Sequence, residues 1–291
     1  MSKNFISLLL SLFITSNSYA NDREKSICGS FQEPFLFWLW SSMAPSPDSS
    51  RVADIKFIKP SEFKTSDEKI LRGYKYMSND GYNNTPPKGY ILVVMGNAMV
   101  SDLMIKELKK FSEHNYDVYV YDYRGYANSE GNRRINAIIH DHKEIAIHLN
   151  KSYNRKLLYG TSLGGMIVLN MIGLDVEYDA AVIDSAPSFL SPHGCPKSID
   201  PVENLPKDAS KILVITGEKD EILSKSMTSP LRDIAQSRGA ATFNGENYAH
   251  PFQDKNREIY NHRMELILNH LDATKPQTAE EAQEAAVSPL Q

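Results

Sequence analysis

Residues 157–170 read LLYGTSLGGMIVLN, an apolar run that breaks at Gly160-Thr161-Ser162-Leu163-Gly164 and resumes as an apolar helical run. A serine between two glycines at a strand-to-helix junction suits a nucleophile held on a tight turn. The glycines let backbones pass closely, and the hydroxyl projects beyond the sheet edge. The bland alternative is a turn that tolerates nothing larger. A helix N-terminus behind Ser162 adds partial positive charge and free N–H groups where an oxyanion would form. A serine hydroxyl is a weak nucleophile without a base, so the chemistry demands a histidine, and the histidine an acid to orient it.

Downstream of Ser162 stand His193, His250, His262 and His270. Enzymes built on such a turn place their groups in the chain order serine, acid, histidine. His193 precedes the acid candidates, and His262 and His270 fall in the last helical stretch, a poor place for a loop-borne base. His250, in the loop NGENYAHPF, is the candidate base. Asp220, in the turn GEKDEI after the apolar run KILVITG, is the candidate acid, with Glu218, Glu221 and Asp184 as rivals. His140-Asp141-His142 and His148 could suggest a metal. Residues two apart on a helix face different directions, so a solvated helix face is the preferred reading and no metal site is expected. Neither a Gly-rich phosphate loop nor a dinucleotide fingerprint occurs, and no cofactor is expected.

Positioning these groups requires a layered frame. RVADIKFIKP (51–60) and KILRGYKYM (69–77) read as strands, with a turn at Asn79-Asp80-Gly81. KGYILVVM (88–95), DVYVYD (117–122), KLLYGT (156–161), DAAVID (179–184), KILVITG (211–217) and ATFNG (241–245) are short apolar strands. Helices alternate with them: 101–114 with Ser101 as its cap, about 136–151, the run from Ser162, 226–238, and about 254–271. Continuous apolar strands alternating with helices predict an α/β fold with a mostly parallel central sheet covered on both faces.

The chain has 291 residues, 41% of them hydrophobic, enough for one sizeable core. A formal net charge of −4 gives no reason to expect nucleic acid as a partner. Lys3, the apolar stretch 5–15 and Ser18-Tyr19-Ala20 read as a secretory signal peptide over 1–20, so a secreted or periplasmic protein is expected. In an oxidising compartment Cys28 and Cys195 form one disulfide or remain two thiols. Residues 21–51 hold FQEPFLFWLWSSM and a Pro/Ser linker. The preferred reading packs these aromatics on the core; the alternative is an acyl-chain or weak membrane contact through Phe35, Trp38 and Trp40. The main domain spans 52–272, and 273–291 reads as a solvated, flexible C-terminal tail.

GTSLGG, GEKDEI and NYAH, with VVMGNA (93–98) and YDYRGYANSEG (121–131), together resemble the α/β-hydrolase superfamily over about residues 52–272. The likeness is to compact bacterial esterases, lysophospholipase-like hydrolases and serine aminopeptidase-like proteins. It implies an α/β-hydrolase fold without a large cap domain, since the stretch 185–210 is too small to be one. It also implies catalytic Ser162, Asp220 and His250, with an oxyanion hole from the N–H groups of Leu163 and of Asn97 or Ala98. The family usually has histidine where Met95 stands and glycine where Ala127 stands. Arg124 and Ser129 read as braces for the turn beside the elbow. The expected substrate is a small-molecule ester or acyl compound in a fairly open site, with Phe189 and Leu190 as walls. A peptidase or acyltransferase on the same groups is the nearest alternative. A non-catalytic binding protein on the same scaffold and a structural envelope protein come next.

Overall fold

The computed structural model describes residues 23–78 and 85–273. The signal-peptide expectation, the Asn79-Asp80-Gly81 turn and all but the first residue of the 273–291 tail lie outside the described residues.

Eight strands form one sheet: β1 (Ile58–Lys64), β2 (Ile70–Tyr76), β3 (Gly89–Val94), β4 (Tyr116–Tyr121), β5 (Lys156–Thr161), β6 (Ala180–Asp184), β7 (Ile212–Gly217) and β8 (Ala241–Gly245). Their spatial order is β1-β2-β4-β3-β5-β6-β7-β8. β1 and β2 pair antiparallel, as do β2 and β4; all other pairs are parallel. Eight helices accompany them in the described residues: α1 (Gln32–Ser42), α2 (Ser50–Ala53), α3 (Ser101–Glu107), α4 (Lys109–Glu113), α5 (Ile135–Asn150), α6 (Leu163–Gly173), α7 (Lys225–Ser237) and α8 (Arg257–Ala273).

The central strands are apolar throughout because both faces are covered, and successive side chains serve opposite cores. Leu92, Val94 and Leu158 pack on one side with α5, α6 and α7. Ile91, Val93, Leu157 and Tyr159 pack on the other with α3, α4 and α8. The 185–210 stretch forms only three short 3-10 turns, so no large cap is present.

Three local expectations are corrected. RVADIKFIKP is not a strand from 51. Asp48 accepts the Ser50 N–H and hydroxyl, which starts the helical turn α2, and Arg51 then binds Asp102; β1 begins only at Ile58. Ser101 is not a cap. It is the first helical residue, and its N–H and hydroxyl both donate to Asp122 at the end of β4 (2.7 and 2.8 Å). The helix expected over 101–114 also breaks in two at Leu108.

Candidate active site

Ser162 sits between β5 and α6 with φ 53° and ψ −119°, a conformation that disfavours any side chain. The turn holds it there. Its N–H donates to the Asp184 carbonyl at 2.8 Å, and its own carbonyl accepts from Gly165 at 3.0 Å. A Cβ on Gly164 would lie 1.9 Å from the Val94 carbonyl oxygen, and one on Gly160 would lie 2.5 Å from that of Gly164. Both positions therefore require glycine. The elbow thus has a steric cause, and it lifts Ser162 off the end of the sheet.

Asp220 follows β7 and His250 follows β8, so both reach the same sheet edge from parallel neighbours. His250 Nδ1 lies 2.9 Å from Asp220 Oδ2. Asp220 is 1% exposed at its side chain, and its other oxygen accepts the N–H groups of Ile222 and Leu223, each at 2.9 Å. Burial pushes its pKa up, but the His250 bond and these two N–H groups outweigh it and leave the carboxyl below its ordinary 3.8. An ionised carboxylate only accepts, so His250 donates its Nδ1–H to Asp220. Among the described residues no hydrogen bond joins His250 to Ser162. Catalytic bonds are often long before substrate binds.

The rival acids are occupied elsewhere. Asp184 is fully buried against Arg263 (2.8 Å), and Glu218 meets Lys225 and Asn244. Glu221 is exposed. Arg263, on α8, is a group that the sequence reading missed. It is 1% exposed, binds Asp184 and Asp254, and donates to the carbonyl of Ala249, the residue before His250 (2.6 Å). Asp254 in turn accepts the Ala249 N–H at 3.0 Å. One guanidinium therefore ties the elbow strand's neighbour to the histidine loop. A lone arginine in a mixed helix carries no sequence signal for this role.

Leu163 opens α6 directly after Ser162, and no hydrogen bond engages its N–H among the described residues. Asn97 lines the same cavity as Ser162, whereas Ala98, at φ 57°, lines a separate depression of about 510 Å³. Tyr123 donates to the Met95 carbonyl, and Tyr126 donates to the Asn97 side chain at 3.2 Å. Two tyrosines of the β4–α5 loop thus brace the segment from Met95 to Asn97. Arg124 is fully buried among Asp141, Asp67 and Glu24, and Ser129 bridges Arg72 and the Asp122 carbonyl, both as braces.

His140, Asp141, His142 and His148 do not converge. Asp141 meets Arg124, His142 donates to the Ile138 carbonyl, and His148 packs on Phe63. Among the described residues no group of three or more His, Cys, Asp or Glu side chains is placed to hold a metal.

Ser162 and Leu163 open onto a cavity of about 420 Å³. Its walls come from α1 (Leu36, Phe37, Trp40), from Phe189 and Leu190, and from Ile222 and Leu223 beside the acid. Cys28 and Cys195 form a disulfide within this wall, fastening α1's approach to the 185–210 segment. Glu33, 2% exposed, accepts N–H bonds from Ile27, Cys28 and Ile135 (2.7, 2.9 and 2.8 Å), which seats α1 over the sheet edge. The aromatic segment therefore both packs on the core and walls the cavity. Trp40 faces inward, and only Phe35 and Trp38 of the expected membrane-contact trio are exposed.

A family model described as serine aminopeptidase, S33, matches residues 85–205. Solved structures share the fold across most of the chain. An esterase from Pyrococcus furiosus superposes with a TM-score of 0.58 at 14% identity, covering 79% of this chain and 95% of its own. The chain has the α/β-hydrolase fold. Esterase 2 of Thermogutta terrifontis, solved phosphorylated by paraoxon, gives 0.61 at 14% identity, covering 77% of this chain and 98% of its own. An esterase domain from Rhodothermus marinus gives 0.56 at 17%, covering 73% and 98%. No curated protein matches the sequence. At these identities the solved structures establish the α/β-hydrolase fold alone.

Proposed function

We propose that this α/β hydrolase is an exported serine hydrolase of carboxylic esters or thioesters. The observation that carries the reading is the His250–Asp220 bond, set at the strand ends beside the cavity that Ser162 lines. His250 Nε2 takes the Ser162 proton as Oγ bonds to the substrate carbonyl carbon. The oxyanion is met by the N–H groups of Leu163 and Asn97. When the carbon–oxygen (or carbon–sulfur) bond breaks, His250 returns that proton to the leaving alcohol or thiol and an acyl-enzyme remains. Water then gives a proton to His250 and hydroxyl to the acyl carbon, releasing the acid and restoring Ser162. Asp220 holds the imidazole tautomer and stabilises its cation.

The aminopeptidase reading needs a carboxylate to receive a substrate amino group. Glu33 is the carboxylate that lines the cavity, and three backbone N–H groups already occupy it, which favours an apolar acyl group. Export rests on residues 1–20, and the Cys28–Cys195 bond is in keeping with an oxidising compartment. The test is fluorophosphonate labelling with peptide mapping, beside turnover of p-nitrophenyl esters of graded length. Labelling of Ser162, lost on His250→Ala, is expected. A folded, unlabelled Ser162 with no ester turnover would leave a binding protein on a hydrolase scaffold.

A further inference from the structure

Every large hydrophobic side chain exposed among the described residues, Ile147 excepted, lies either within 31–43 or on the rim of the Ser162 cavity. Phe31, Phe35 and Trp38 are 79%, 48% and 59% exposed along the outer side of α1. Phe189, Ile222 and Met227 stand exposed at the cavity rim. Chance scatter would spread such residues over the whole surface, and their concentration in one segment and at one cavity rim signals contact with another apolar phase.

We infer that the chain takes its acyl substrate from a lipid–water interface, with the outer side of α1 and the cavity rim seated among neutral or zwitterionic lipids. The inference rests on the ester-hydrolase reading and names the substrate class for it: single-chain acyl amphiphiles in an aggregate. Three observations carry it. Phe189, Ile222 and Met227 are exposed and also line the cavity that holds Ser162, so the mouth of the site is itself apolar. The same helix serves both sides, with Phe37 and Trp40 lining the cavity behind Phe35 and Trp38. And α1, QEPFLFWLWSS, contains no Lys or Arg, so its attraction is to apolar lipid rather than to anionic headgroups. Aromatic rings of this kind sit well at the headgroup level. At about 30 Å³ per water-sized group, the 420 Å³ cavity has room for about a dozen heavy atoms of acyl chain. The disulfide and the three bonds to Glu33 keep α1 in place, so the platform needs no rearrangement to meet the surface.

The test uses the mature chain with its disulfide intact, phosphatidylcholine vesicles for co-sedimentation, and two substrates: dissolved p-nitrophenyl butyrate and p-nitrophenyl decanoate in mixed micelles. The triple variant Phe31→Ser, Phe35→Ser, Trp38→Ser changes side chains outside the cavity. Vesicle partitioning and micellar turnover are expected to fall at least about tenfold in it, while butyrate turnover and fluorophosphonate labelling stay within about twofold of wild type. Trp38→Gln alone, confirmed folded by near-UV circular dichroism, should move the same way by a smaller factor. Wild type that fails to sediment with phosphatidylcholine, or a triple variant that keeps its micellar turnover, would overturn the inference. So would binding that appears only with anionic lipid. Vesicle binding by a protein whose Ser162 takes no label would overturn the hydrolase reading and leave the lipid surface standing.

Discussion

Replacing Arg263 with methionine isolates the group that joins the elbow's neighbouring strand to the histidine loop. Methionine keeps much of the volume and removes the charge. Asp184 and Asp254, both 0% exposed at their side chains, would lose the cation they share. Breaking a buried pair from one side costs about 3–5 kcal/mol, because the remaining charge stays buried without compensation. The pH dependence carries a sign. Burial pushes the Asp184 carboxyl up from its ordinary 3.8, and Arg263 is the main influence pulling it back. Without Arg263 the folded state holds the proton more tightly than the unfolded state, so stability falls as pH rises and returns on acidification toward about pH 4. The limiting slope is about 1.4 kcal/mol per pH unit for one such group. Urea unfolding at pH 5 and 7.5 reads both effects. Arg263→Met with Asp184→Asn should recover part of the loss, since it removes the stranded charge. The kcat/KM for esters should fall in the single variant, because the Ala249 carbonyl loses a donor next to His250. A loss below about 1 kcal/mol with no pH slope would refute the reasoning.

Ser162→Ala and His250→Ala should each cost several powers of ten in turnover, and the double variant little more than either, because the groups act as one unit; additive losses in kcat/KM would contradict this. Asp220→Asn should be strongly damaging at every pH above about 4, since the carboxylate, held below its ordinary range, is already ionised there. Cys28→Ser should lower stability by up to about 5 kcal/mol, the closure entropy of a 167-residue loop, read as a Tm difference that vanishes when wild type is reduced. His142 is buried with no partner for Nε2, and burial pushes its pKa from 6.5 down to about 4. Its stabilising contribution is complete above pH 6.5 and is lost as pH falls through about 4. His142→Phe should therefore shrink the stability lost between pH 7 and 4 by up to about 3 kcal/mol, measured by denaturant unfolding at both values.

The strands that carry the site were legible because they are apolar on both faces. KGYILVVM, KLLYGT and KILVITG have no solvent side to confuse the pattern. The candidate residues were legible for a different reason: strand ends and chain order single out Ser162, Asp220 and His250, of which the structure joins His250 and Asp220 by a hydrogen bond. What stayed hidden depended on partners far along the chain. α1 is apolar all round, so it has no helical period to read, and its inner and outer sides are decided by Ile135 and Cys195. β1 is shifted because Asp48 and Asp102 redirect Ser50 and Arg51, and Arg263 finds Asp184 at a separation of 79 residues.

The N-terminal cover also sets an order of events for a chain made from its first residue onward. Each tie described for residues 24–33 beyond the segment itself waits for sequence made much later: Glu24 for Arg124, Glu33 for Ile135, Cys28 for Cys195. Until about two-thirds of the chain exists, the helix that carries Phe31, Phe35 and Trp38 on its outer side lacks the disulfide that fastens it. Such contacts of high sequence separation form late, after their loop-closure entropy has been met. An adhesive part of the molecule is thus made early and fastened late. Its safe passage depends on being held apart during synthesis rather than on any rapid local folding.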